Sequence, residues 1–166
     1  MKADYLFSQS ALLLTLLAAS IDAVAMGAGT IVMNGKSATV TDAYAYRQPA
    51  ANDKAVVLTT IVLTDRPLDS GKLAENEDRD KTIHALLKRA RAVYWEAVLL
   101  PDGTLKAINA VWPGGIEIRG RVDNVHLRIT HSDAQRIEGT YRTLDEAPKE
   151  LLPGGEYFDL KFSTDF

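Results

Sequence analysis

Short β-rich segments separated by tight-turn residues recur along most of this chain, and no alternation of strand and helix interrupts them in the way a parallel sheet requires. Asn34-Gly35 lies between two such segments, residues 30–33 and 37–47. Asn and Gly both accept the positive φ of a type I′ turn, so the pair predicts a β-hairpin. Residues 55–64, AVVLTTIVLT, carry β-branched side chains on both alternating sets, which predicts a central strand covered on both faces. The polar stretch 48–53 precedes it, and Asp65-Arg66-Pro67 closes it because proline lacks the donor that continues a ladder.

Beyond residue 91 the strand pattern returns in segments 92–100, 104–112, 116–119, 122–130, 136–143 and 156–163. Pro101-Asp102-Gly103, Pro113-Gly114-Gly115, His131-Ser132-Asp133 and Pro153-Gly154-Gly155 punctuate them. Alternation puts Val125, Leu127 and Ile129 on one face, against Asn124, His126, Arg128 and Thr130. In the same way Ile137, Gly139 and Tyr141 share a face, as do Phe158, Leu160 and Phe162. The last strand holds three of the four phenylalanines and is expected to fasten the core.

One helix is expected. After a polar, flexible run from Asp69 to Arg79, Asp80 is a candidate N-cap, and Ile83, Leu86, Leu87 and Ala90 repeat at helical spacing. An acidic start and a basic end, Lys88, Arg89 and Arg91, suit the helix macrodipole. The fold class that follows is mainly β: an antiparallel β-sandwich or barrel-like meander with one short helix.

Residues 1–25 differ from the rest. An apolar run from Ala11 to Ser20 follows Lys2 and ends near Asp22, and Ala23-Val24-Ala25 is a small-x-small cleavage pattern before Met26. The run is too short to span a bilayer, which takes about 20 helical residues. The expected organisation is a signal peptide, 1–25, and a single β-rich domain, 26–166, exported to the periplasm or secreted. No stable membrane anchor is expected to remain after cleavage. With no cysteine in its 166 residues and no Asn-x-Ser/Thr sequon, the chain fits a bacterial exported protein better than a disulfide-stapled extracellular one.

Composition excludes several chemistries. Zero cysteine removes thiolate catalysis, iron–sulfur clusters and zinc ribbons. A net charge of -3 offers no basic excess for a nucleic-acid partner. No nucleophile elbow, phosphate-binding loop or His-Glu-x-x-His motif is present, so no catalytic residue is assigned and an enzyme is disfavoured. Of the histidines, His126 and His131 fall on opposite faces of one straight strand, and His131 with Asp133 makes only two ligands. His84 lies on the helix as a solvated or half-buried residue. Neither metal nor organic cofactor is expected.

Two sets of residues are candidate binding groups. Asp42, Tyr44 and Tyr46 share a strand face with Ala38 and Val40, an acid beside two phenols; rim packing of the tyrosines is the plainer account. Trp112, before the rigid Pro113-Gly114-Gly115 turn, is either an exposed aromatic anchor or a core residue at a strand end. The expected function is an exported, non-enzymatic binding or accessory protein of the cell envelope, acting through loops on a β scaffold. Its partner is expected to be a protein or an envelope polymer. The alternatives are a small hydrolase with a dispersed site and a structural subunit of a surface assembly.

Overall fold

Asn34 and Gly35 both hold positive φ, 50° and 73°, and join β1 (Met26–Met33) to β2 (Lys36–Val40) in the expected hairpin. The computed structural model describes residues 26–74, 78–114, 116–119, 126–143 and 156–166; the expected signal peptide, 1–25, and the Pro153-Gly154-Gly155 turn lie outside them. The remaining strands are β3 (Asp42–Pro49), β4 (Val57–Thr64), β5 (Tyr94–Leu99), β6 (Leu105–Trp112), β7 (Ile116–Arg119), β8 (His126–Ser132), β9 (Arg136–Arg142) and β10 (Glu156–Asp165). They form two antiparallel five-stranded sheets, ordered β2-β1-β10-β9-β8 and β3-β4-β5-β6-β7. These sheets pack as a sandwich-like meander and do not close into a barrel.

The core lies between the sheets. Ile31, Ile137, Phe158, Leu160 and Phe162 from the first meet Ala43, Ile61, Leu63, Trp95 and Ile108 from the second. The alternation of β10 is as expected: Phe158, Leu160 and Phe162 are buried while Lys161 is exposed. As the middle strand of its sheet, paired with both β1 and β9, β10 does fasten the core. Close pairing of β1 with β10 depends on Gly29, whose φ is +136° and where a Cβ would sit 1.9 Å from the Asp159 carbonyl oxygen.

The segment 37–47 is not one strand. It breaks at Thr41, whose N–H donates to the Thr64 carbonyl, and passes from one sheet to the other. Crossing sheets inverts the alternation: Val40 faces the core in β2, whereas Ala43 and Ala45 face it in β3. The expected single face of Ala38, Val40, Asp42, Tyr44 and Tyr46 is therefore divided, with its last three members on the outer face of the second sheet.

That outer face is covered by a helix, which explains why β4 is apolar on both sides. Among the described residues two helices occur between β4 and β5: α1 (Ser70–Ala74), inside the run expected to be flexible, and α2 (Arg79–Ala90). Ile83 and Leu87 of α2 are buried against Tyr46 and Val62 of the sheet, each contributing about 2–3 kcal/mol of apolar burial. The N-cap is Asp78, not Asp80: the Asp78 side chain accepts from the Lys81 N–H at 3.2 Å. Asp80 falls two positions into the helix, and its carboxylate is left for other partners. Among the described residues no helix is long and apolar enough to cross a membrane.

Candidate functional site

Asp80 and His84 stand one helical turn apart on α2, so their side chains share the edge of the helix that faces β3 and β5. Glu96 is the one acid of β5 and lies on the sheet face under the helix, 4% exposed. Tyr46 and Gln48 project from the same face of β3. The Tyr46 hydroxyl donates to Asp80 Oδ1 at 2.7 Å, and Gln48 Nε2 reaches the same oxygen at 3.4 Å. His84 Nδ1 lies 2.9 Å from the Asp80 backbone carbonyl, and Nε2 lies 2.9 Å from Glu96 Oε2.

These bonds hold the histidine as imidazolium. The hydrogen bond to Glu96 is the main cause that lifts the His84 pKa from 6.5 to about 9, against a smaller opposing effect of burial. Both ring nitrogens then donate, to a carbonyl and to a carboxylate. Burial, with the hydrogen bond to Asp80, keeps the Tyr46 phenol far above its ordinary value, so it stays a donor. The cluster ties helix to sheet through charge-assisted hydrogen bonds.

Asp80, His84 and Glu96 each offer a ligand atom, all within 4.8 Å of one another, and are the ligand types a cation takes. Their arrangement about the ring favours hydrogen bonding. The Asp80 carboxylate approaches Nδ1, at 3.7 Å, while Glu96 approaches Nε2. In the structure the three groups are engaged with one another and with Tyr46 as hydrogen-bond partners.

His84 also borders a groove of about 530 Å³, which runs between the C-terminal half of α2 and the turn after β6. Leu87, Ala92, Tyr94, Val111, Trp112 and Pro113 give it apolar and aromatic walls, and Lys88 and Arg91 stand at its helical rim. Both rim side chains are exposed, and neither forms an ion pair with another described residue. A second depression, about 360 Å³, lies on the other flank of α2, where Lys72 is paired with Asp69.

The four residues singled out from sequence separate in space. Trp112 is half-buried: it packs partly against the inner core and also walls the groove. Tyr46 is fully buried beneath α2, and Tyr44, half-buried, accepts from the Leu68 N–H at 2.6 Å. Asp42 accepts from the neighbouring Thr41 hydroxyl and stands apart from the Asp80–His84–Glu96 cluster. The face of Asp42, Tyr44 and Tyr46 is thus largely the bed of a helix and not an open surface.

The histidine alternation on β8 also differs from expectation. A register shift between Ile129 and His131 places His131 opposite Glu138 and His126 opposite Arg142. The bulge sets the two backbone positions on one side of the sheet, yet four ladder steps separate them, about 13 Å at ~3.3 Å per residue. His131 Nε2 instead meets Asp133 Oδ2 at 2.8 Å on the surface. Backbone N–H groups of Gln135 and Arg136, with His131, hold the Asp133 carboxyl down at about 2.

Sequence reasoning missed Asp80, Glu96, Lys88 and Arg91 as a group. Its available signal was a lone acid, Glu96, in the otherwise apolar segment 92–100, because an acid on a covered strand face needs a partner. No protein-family model, no curated protein and no solved structure matches this chain.

Proposed function

We infer that the chain is an exported, non-enzymatic binding or accessory protein of the cell envelope, and that it takes its ligand in the groove between α2 and the turn after β6. The observation that carries this assignment is the groove itself. Its volume, about 530 Å³, lies in the range of small-molecule sites, and its walls are apolar with a few polar groups at one side. Export rests on the signal-like composition of residues 1–25.

Physical arguments weigh against the other two functions. Both nitrogens of His84 are engaged within the protein, so this cluster provides no ring nitrogen to take a proton from a nucleophile. A surface assembly built by edge pairing needs long apolar edges. The edge strand β2 instead exposes Lys36, Ser37 and Thr39, and among the described residues the exposed large apolar side chains are Met26 and Val57.

A fragment screen followed by the two tryptophan indole N–H resonances tests the groove. Compounds that bind should move the Trp112 signal, leave the core Trp95 signal nearly in place, and lose their effect in Trp112→Ala. A screen whose hits move neither signal, or bind Trp112→Ala unchanged, contradicts the assignment.

A further inference from the structure

We propose that the groove selects a small free carboxylic acid with an apolar or aromatic body, the carboxylate held by Lys88 and Arg91 and the body lying between Leu87, Tyr94 and Trp112. This rests on the groove being the ligand site and adds the chemical class of ligand. The charge complementarity is one-sided: the described lining contains no acidic residue, and its cationic groups lie along α2 at positions 84, 88 and 91. His84 is already committed to Glu96 and to the Asp80 carbonyl, which leaves Lys88 and Arg91 as the cations able to turn to a ligand. An arginine fork and a lysine ammonium together suit a carboxylate, which accepts from several donors at once.

A second, independent observation concerns the backbone of Arg91. It ends α2 in the left-handed conformation, φ 52° and ψ 45°, with its N–H directed to the Leu87 and Lys88 carbonyls. Glycine is the usual residue at this helix position, because it alone adopts the conformation without steric cost. Arginine at this position bears a steric cost that glycine would not. Here that side chain lines the rim of the groove. Basic residues near a helix C-terminus also suit the macrodipole, so stability and binding must be measured on the same variants.

The test uses a matched trio of probes with one aromatic body: 2-naphthoate, neutral 2-naphthamide and cationic 2-naphthylmethylammonium. Isothermal titration calorimetry on the 26–166 protein should rank the acid at least tenfold tighter than the amide, with the ammonium weakest. The gap between acid and amide should shrink as salt is raised. Arg91→Gly should raise the melting temperature while it removes most of the preference for acid over amide. Lys88→Gln should reduce that preference at nearly unchanged stability, and Trp112→Ala should weaken all probes that bind. A naphthoate-capped peptide amide, lacking the free carboxylate, should bind no better than naphthamide. Equal binding of acid and amide in the groove would overturn the carboxylate proposal while leaving the groove as a ligand site. Failure of all three probes to bind would overturn both, whereas an Arg91→Gly protein that is more stable and keeps the full preference would overturn the assignment of Arg91 to the carboxylate and leave the groove as a ligand site.

Discussion

His84 Nε2 lies 2.9 Å from Glu96 Oε2, and this single bond ties the middle of α2 to the covered face of β5. The helix it secures forms one wall of the groove, so the polar cluster and the candidate binding site are mechanically connected. Replacing His84 by Ala leaves the Glu96 carboxylate buried without its cation. The expected loss is roughly 2 kcal/mol, below the ~3–5 kcal/mol of fully buried pairs because the ring is about one-third exposed. Glu96→Gln keeps an acceptor for Nε2–H and should cost less. Chemical denaturation of both variants checks the order, and an equal, negligible cost would show that the tie contributes nothing.

Stability should depend on pH through the same histidine. Its folded pKa, about 9, exceeds the ordinary 6.5, so protonation favours the folded state. The stabilisation is fully present below pH 6.5 and is lost as pH rises from 6.5 through about 9. Allowing for solvent screening of the partly exposed ring, the expected fall is about 1–2 kcal/mol. Denaturation midpoints measured from pH 6 to 10 should show this slope in the parent protein and a flatter line in His84→Gln.

Two glycines should respond very differently to alanine. At Gly35, φ is +73° and nothing stands within 4 Å of an added Cβ, so Gly35→Ala costs only the turn strain, about 1–2 kcal/mol. At Gly29 the added carbon meets the backbone of β10, where neither strand can move without breaking the central pairing of its sheet. Gly29→Ala should therefore fail to fold or lose several times as much stability. Thermal melts of the two variants side by side decide this.

Processing is separately testable. Mature protein recovered from its source cell should begin at or close to Met26, which intact-mass measurement reads directly. A full-length chain retained in the cytoplasm would contradict export.

The fold was largely legible in the sequence because its signals are local. Asn34-Gly35 fixes a turn type by its φ requirements, and the alternation of Phe158, Leu160 and Phe162 fixes a face by the period of a strand. The break at Thr41 was not legible, since β2 and β3 form one continuous β-rich run and only the packing of two sheets decides where the chain crosses. The site was harder to read for the same reason. Asp80 and His84 share a helix edge by spacing, but Glu96 and Trp112 come from strands whose approach to that helix is set by tertiary packing. Asp80 was also obscured by Asp78, an equally good cap two residues earlier. Trp112 could be singled out from sequence because an aromatic beside a rigid turn is a local feature.

The most direct test of the groove as ligand site is a backbone and indole amide titration of the 26–166 protein with 2-naphthoate, observed by nuclear magnetic resonance. Saturable shifts should be confined to Leu87, Lys88, Arg91, Ala92, Tyr94, Val111 and the Trp112 indole, with Trp95 nearly still. Shifts centred instead on Asp42 and the β2–β3 crossing, or spread without saturation over the surface, would contradict the assignment.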